Sequence, residues 1–489
     1  MKNIVRVSFL SLCSLLWAEI AVAADSAPKP NIIVFFTDDH GYADLGSQGI
    51  VHDIKTPNAD RLAASGVRAV QGYVTAPQCV PSRGGLMTGR FQSKFGLDNN
   101  NAKPTLFAAE TTIPERLGKV GYASAMYGKW HLGPTAQIPQ HGFTHSFAQS
   151  GSRPFDANID IHGKDRPMSA LANEDYHITA CSRAACATIE RYKAQPFFLY
   201  IAYRAPHVPL DAPKKYLDRF PGPMSEHRRQ ALAMLSAVDD GVGMVLDTLE
   251  KHALRENTLI FFIADNGAPL KIHKRDTPDL SGWDGSLNDP LNGEKGMLTE
   301  GGIRVPFLIS WPGKIPAGQV YPHPVSSLDV AATAVALAGI EAPAGELDGI
   351  NLMPYLTGKV ADVPARKLYW RWTTQAAIRD GDWKYLRGGS REYLFNLRDD
   401  MGEKHNLMKL QPQIAQRLKT DLETWSQALI PAGLDKRDLK EGTNRYFDHY
   451  LDGKQVSVPA AKAPENAPKT EKPRKKKRQP KASPPAPQP

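Results

Sequence analysis

Four apolar runs, each closed or followed by polar residues, constrain the fold of this chain more than any other feature. Asn31–Thr37 (NIIVFFT) ends at Asp38-Asp39, Pro196–Tyr203 (PFFLYIAY) ends near His207, Thr258–Ala264 (TLIFFIA) ends at Asp265-Asn266, and Val305–Trp311 (VPFLISW) follows later. The runs are rich in β-branched and aromatic residues and lack polar alternation, the pattern of parallel strands buried on both faces. Helical patterns separate them, over Asn58–Ser65, Ile113–Val120, Glu174–Lys193 and Glu226–His252. Strands alternating with helices predict an α/β fold with a large, mainly parallel sheet flanked by helices. Ligands of such sheets bind beyond the carboxyl ends of the strands, where the polar residues of this chain cluster.

Near residue 366 the texture changes. Leu368–Trp372, Ala376–Arg379, Trp383–Leu386 and Tyr393–Asn396 read as short strands parted by polar turns, and Gln411–Leu429 as a closing helix. They predict a smaller C-terminal antiparallel sheet subdomain at 366–452, packed by a helix, behind a large catalytic body at 25–365; the 489 residues suffice for both. From 453 to 489 the chain is Pro, Ala and Lys, with too few apolar side chains to offset ordering entropy, and disorder is expected. At the other end Lys2 and Arg6 precede an apolar stretch, and Ala21-Val22-Ala23 fits a cleavage site, so residues 1–24 read as a secretory signal. Glu19 interrupts a run already too short to span a bilayer. The expectation is an exported protein, periplasmic or secreted, with no membrane span.

The net charge of +9 does not call for a nucleic-acid partner. The tail 453–489 holds ten Lys or Arg against two Asp or Glu, and residues 1–24 add a single positive charge, which leaves the body neutral. Cys13 falls in the signal segment. Cys181 and Cys186 lie five apart on a predicted helix, roughly 140° apart around its axis, which disfavours a disulfide between them.

Cys79 is of another kind. It opens Cys79-Val80-Pro81-Ser82-Arg83, with Gly85-Leu86-Met87-Thr88-Gly89-Arg90 behind it. Pro81 suits the first turn of a helix, whose N-terminus would present backbone N–H groups and a positive dipole to an anion. The stretch resembles the signature of type I, formylglycine-dependent sulfatases of the alkaline phosphatase superfamily, Cys-x-Pro-Ser-Arg then Ala-x-Leu-x-Thr-Gly, with Gly84 the one departure. Gly128-Lys129-Trp130-His131-Leu132-Gly133 matches a second family block in full. Ala205-Pro206-His207-Val208-Pro209-Leu210 and Gly293-Glu294-Lys295-Gly296 resemble two more, and the likeness runs over about residues 30–410.

The resemblance implies an alkaline-phosphatase-like fold and a sulfuric ester hydrolase. It implies that a formylglycine-generating enzyme converts Cys79 to formylglycine (3-oxoalanine), whose hydrate is the nucleophile. Arg83 would orient that hydrate, and Lys129 and Lys295 would bind sulfate oxygens. His131 would deprotonate the hydrate's second hydroxyl so that sulfate is expelled, and His207 would protonate the leaving alcohol. Asp38, Asp39, Asp265 and Asn266, with residue 79, would hold one divalent cation; oxygen donors suit Ca²⁺ or Mg²⁺ rather than zinc. Asp44 reads as a turn residue, with a group orienting the metal site as the alternative, and a serine that some members of the family carry after the Gly-Lys-Trp-His block has two candidates here, Ser150 and Ser152, between which the alignment does not choose.

A phosphonate or phosphate monoester hydrolase of the same superfamily is one alternative. A non-catalytic binding protein for sulfated glycans is another, although such a protein has no need of an oxidisable cysteine. Export, and a family rich in polysaccharide desulfation, favour a sulfated polysaccharide or oligosaccharide as substrate. Candidate subsite residues are His162, His273, Lys274, Arg275, Trp283, Trp370, Arg371 and Trp372.

Overall fold

The computed structural model describes residues 28–149, 155–171, 175–270, 285–431 and 443–455. The signal segment and nearly all of the basic tail lie outside these residues, as do Ser150, Ser152, His273, Lys274, Arg275 and Trp283. Ten strands form one sheet: β1 Asn31–Asp38, β2 Gly66–Ala69, β3 Ala123–Lys129, β4 His145–Gln149, β5 Phe155–Ile159, β6 Asp165–Leu171, β7 Phe197–Pro206, β8 Thr258–Ala264, β9 Phe307–Ser310 and β10 Gln319–Tyr321. Their spatial order is β10-β2-β9-β8-β1-β7-β3-β4-β5-β6.

The centre is parallel, with β1 between β7 and β8, and β3 between β7 and β4. Every residue of β1 is buried because both faces are covered. The covering helices include α1 Pro57–Ala64, α2 Cys79–Thr88, α3 Ile113–Gly118, α4 His177–Tyr192, α5 Glu226–Lys251 and α6 Leu328–Leu337. Ile33 and Phe35 pack among residues of α1, α4 and α5, whereas Ile32, Val34 and Phe36 face α2, α3 and α6. Successive side chains of a strand point to opposite faces, so one unbroken apolar run feeds two cores.

The run Val305–Trp311 does form a strand, but β9 lies antiparallel to both β8 and β2. A parallel return requires a crossover of a dozen or more residues, usually helical. Among the described residues between β8 and β9 the chain forms one short helix, Glu300–Ile303, and β9 enters from the end where β8 left. The hairpin β5–β6 was not foreseen either, because β6 is an exposed edge strand with a proline and no buried face.

Behind this body four strands, β11 Lys367–Trp372, β12 Gln375–Asp380, β13 Trp383–Gly388 and β14 Arg391–Asn396, form an antiparallel meander. On one face Ala415, Leu418 and Leu422 of α7 (Pro412–Gln427) pack against Ile378, Tyr385 and Leu394. The other face joins the large body, with Trp370, Trp372 and Leu386 packed among Tyr73, Met297, Leu298 and Ile303. Lys384 lies in this seam, 2.8 Å from Glu300 and 2.9 Å from Glu403. Burial alone would raise the Glu300 carboxyl, but Lys384, Arg304 and Arg379 outweigh it and hold it at about 2. Cys181 and Cys186 are both free thiols, and among the described residues no helix is long and apolar enough to cross a membrane.

Asp44 departs from its reading as a turn residue. Its N–H does close a turn on Gly41, but its carboxylate is wholly buried and pairs with Arg228 at 2.9 Å. That carboxylate also accepts from the Ser286 hydroxyl at 2.7 Å and from the Leu287 N–H at 3.0 Å. It therefore ties α5 to two loops at the carboxyl edge of the sheet. Removing one partner of a buried pair strands the other charge. Arg228→Ala should cost about 3–5 kcal/mol in denaturant unfolding; an unchanged midpoint and slope would show that Asp44 is not an anchor.

Candidate active site

Strands β1 and β8 end side by side, and their polar ends interlock. The Asp39 N–H donates to Asp265 Oδ1 at 3.1 Å, and Asn266 Nδ2 donates to Asp39 Oδ1 at 2.7 Å. Asp39 holds φ of 61° and His131, just beyond β3, φ of 60°. Non-glycine residues rarely adopt this left-handed region, and where they do the surrounding structure has to hold them there. Here both residues lie in the cluster that carries the chemistry.

Helix α2 delivers Cys79 from the sheet face of Ile32, Val34 and Phe36, and all ten of its residues are buried. At Gly84 a Cβ would lie 2.5 Å from a Leu97 methyl carbon, which accounts for glycine at the position where the motif usually has alanine. The Cys79 thiol donates to Asp38 Oδ1 at 3.3 Å and receives Lys129 Nζ at 3.4 Å. Not every N–H at the helix start is open to an anion, since that of Val80 is taken by Asn100 Oδ1 at 2.9 Å.

Arg83, fully buried one turn along, reaches Asp265 Oδ2 at 2.7 Å, the Lys129 carbonyl at 3.0 Å and the Tyr200 hydroxyl at 3.2 Å. It thereby locks α2 to the ends of β3 and β8 and to the middle of β7. Gly128 allows β3 to come this close: it has φ of 96°, and a Cβ there would lie 2.1 Å from the Ala202 carbonyl oxygen. Lys129 Nζ pairs with Asp38. Lys295 Nζ pairs with Asp39 at 2.8 Å, and His207 Nε2 lies 3.7 Å from the same carboxylate.

Charge balance sets the protonation states. Burial would raise the Asp38 carboxyl, yet Lys129, His207, Arg83 and Lys295 hold it well below the usual range. Burial and the neighbouring Asp38 push Asp265 up to about 7. Burial, Asp265 and Asp38 push the Cys79 thiol well up, so it is protonated at neutral pH. His131 is held well below its usual value by burial, Lys129 and Arg83, and His207 is lowered by burial and Lys129. His207 Nδ1 contacts the Val208 carbonyl at 2.7 Å, so Nδ1 carries the hydrogen and Nε2 is the atom turned to the cluster.

The structure brings all the predicted site residues into one cluster. Ligand atoms of Asp38, Asp39, Cys79 and His207 lie within 4.8 Å of one another and could hold a metal ion. Asp265 and Asn266 adjoin this group through hydrogen bonds with Asp39, and His207 enters a group from which the sequence reading had left it out. A cation fits this donor set. Three carboxylates crowd together, and the buried Asn266 Oδ1 has no hydrogen-bond partner among the described residues.

The subsite candidates fare differently. Trp370 and Trp372 are buried and donate to Val74 O at 2.7 Å and Gln78 Oε1 at 3.2 Å. Arg371 pairs with Asp98 at 2.7 Å. These are packing residues, and His162 is exposed in the turn between β5 and β6. Sequence reasoning missed a cavity of about 470 Å³ beside His131, lined also by Val80, Leu97, Asn100, Phe107 and Asp156. The Cys79 and Gly128–Gly133 motifs supply only part of its lining, Val80 and His131 to Gly133, and the rest comes from segments distant in sequence, among them Leu97, Phe107 and Asp156.

Comparison with known proteins accords with this geometry. The sulfatase family model matches residues 30–340, most of the chain. The chain belongs to the sulfatase family. A second model, the C-terminal region of N-sulphoglucosamine sulphohydrolase, matches residues 293–428 and so takes in the Lys295 turn together with the meander. This sulfatase is 34% identical to human N-acetylgalactosamine-6-sulfatase over 74% of its own length and 72% of that protein's. The rat enzyme of the same name is 32% identical, with the same coverage. Among solved structures, Ps i-CgsB in complex with k-i-k-neocarrahexaose superposes with a TM-score of 0.73 at 32% identity, covering 86% of this sulfatase and 98% of that chain.

Asn266 gives the metal reading a direct test. Asn266→Ala should weaken the binding of Ca²⁺ or Mg²⁺ to the metal-stripped protein, measured by calorimetry. Equal affinity for the variant and the parent would remove Asn266 from the ligand set.

Proposed function

We propose that this sulfatase releases inorganic sulfate from an O-sulfated polysaccharide or oligosaccharide, with a formylglycine made from Cys79 and one divalent cation, Ca²⁺ or Mg²⁺. The observation that carries this reading is the setting of Cys79. It lies buried at the start of α2 between Asp38 and Lys129, where its thiol is not ionised. A buried thiol of raised pKa is a poor nucleophile. Oxidised to the aldehyde and hydrated, residue 79 would supply an oxygen nucleophile instead, and the cation would add positive charge against the sulfate.

The chain's own residues then divide the work. Lys129, Lys295 and Arg83 form a fixed cationic wall; such preorganised charge is the largest catalytic contribution in many enzymes. Arg83, braced by three partners, orients residue 79. His131, neutral at pH 7, accepts a proton from residue 79, and its Nδ1 is buried without a partner among the described residues. His207, with its Nδ1–H fixed on a carbonyl, would first take a proton from solvent at Nε2, an imidazolium that the Asp38 and Asp39 carboxylates favour, and hand that proton to the leaving alcohol. The cavity beside His131 is in the size range of small-ligand pockets, about 300–1,000 Å³, and would take the sugar that bears the sulfate.

A carbohydrate substrate is supported by the names of two similar proteins, one a sulfatase of N-acetylgalactosamine and one solved with a neocarrahexaose. We also propose export after removal of residues 1–24, maturation by a formylglycine-generating enzyme, and the division into a catalytic body at 25–365 and a subdomain at 366–452.

Matched aryl sulfate, phosphate and phosphonate esters test the reaction class. The sulfate should be turned over fastest, and a preference for phosphonate would overturn the proposal. The two histidines should separate in a leaving-group series. His207→Ala should cost roughly 10²–10⁴-fold with alkyl sulfates and much less with nitrophenyl sulfate, whose phenolate leaves unaided. His131→Ala should be damaging for both. The opposite pattern would mean that the two roles are exchanged.

A further inference from the structure

The turn that carries Lys295 is held from outside the large sheet. Met297 and Leu298 are fully buried in the apolar seam between the body and the meander. The backbone between Gly296 and Leu298 therefore passes through surroundings with few polar partners, and buried N–H and C=O groups have to be paired. One side chain pairs two of them. Gln375, the first residue of β12 and only 1% exposed, accepts from the Leu298 N–H at 2.9 Å and donates to the Gly296 carbonyl at 3.0 Å.

Its amide thus brackets the turn directly after Lys295. The remaining ties come from the body: Lys295 N–H to the Ala268 carbonyl at 3.1 Å, and Gly296 N–H to the Pro77 carbonyl at 2.9 Å. Pro77 lies two residues before Cys79. The same hairpin, β11–β12, grips that segment too, through Trp372 on Gln78 and Trp370 on Val74. One hairpin of the C-terminal sheet therefore spans the two segments whose separation sets where Lys295 stands relative to residue 79.

We infer that Gln375 is a positioning residue for sulfate ester hydrolysis, acting through Lys295 by fixing the turn at 296–298. This rests on the proposed role of Lys295 in binding sulfate. A shift of about 1 Å in a catalytic group can cost 10²-fold in rate, and a two-point amide clamp is suited to prevent such a shift. The C-terminal sheet on this account is a buttress for the reaction centre.

A double-mutant cycle decides it. Gln375→Met keeps length and apolar volume but loses both hydrogen bonds, so turnover of nitrophenyl sulfate should fall roughly 10-fold to 100-fold. In a Lys295→Ala background the same change should cost almost nothing, because interacting residues are not additive. Affinity for inorganic sulfate, titrated calorimetrically against the full-length protein, should drop in Gln375→Met and Lys295→Ala alike. A full loss from Gln375→Met in both backgrounds would overturn the inference and leave a merely structural glutamine. So would a Gln375→Met protein that fails to fold while the milder Gln375→Asn folds with parental turnover and sulfate affinity. A silent Lys295→Ala would sink the proposed role of Lys295, and this inference with it; a damaging Lys295→Ala with additive effects would sink this inference alone.

Discussion

The structure turns on a buried charge problem. Asp38, Asp39 and Asp265 are brought together at the ends of two adjacent strands, out of water, where ionised carboxylates are costly unless paired. Arg83, Lys129 and Lys295 supply the pairing, each sent from a different segment. On the proposed reading, the same wall that neutralises the carboxylates would receive the sulfate. Stability and binding would then draw on one set of groups, among which Asp265 is raised to about 7 by burial and by Asp38.

The supporting architecture follows from that demand. Arg83 can be fully buried because α2 itself is buried. Strand β3 can approach because Gly128 has no side chain. The meander closes the arrangement from behind, where Lys384 between Glu300 and Glu403 and the Trp370–Trp372 face seal the seam. The C-terminal sheet is thus wired to the site through its side chains, which bond the main chain at Val74, Gly296 and Leu298 and the side chain of Gln78, and Trp370 and Trp372 are buried in that seam.

Much of this was legible in the sequence, for physical reasons. The central strands announced themselves because a strand buried on both faces must be apolar throughout, and Asp38-Asp39 and Asp265-Asn266 marked their ends. The motifs around Cys79 and over Gly128–Gly133 pointed to Cys79, Lys129 and His131, and the fold brings these three side chains into one charged cluster. What stayed hidden depended on long-range partners. The direction of β9 depends on its pairing with β8 and β2, and the anchoring role of Asp44 on Arg228, far along the chain. A clamp such as Gln375 leaves no local mark, because an isolated glutamine at a strand start looks like any surface residue. Trp370 and Trp372 could be named only as subsite candidates that read more readily as loop or packing residues, and packing is their place here, since pattern alone does not tell a seam from a surface.

The central claim is that residue 79 works as an aldehyde held between Asp38 and Lys129. The most direct measurement prepares the protein with graded amounts of a formylglycine-generating enzyme. It then compares the hydrazide-reactive fraction of the peptide bearing residue 79 with the rate of sulfate release. The account predicts that the rate rises in proportion to the aldehyde fraction and vanishes where Cys79 is wholly a thiol. Full turnover from a preparation with only the thiol at position 79 would contradict it.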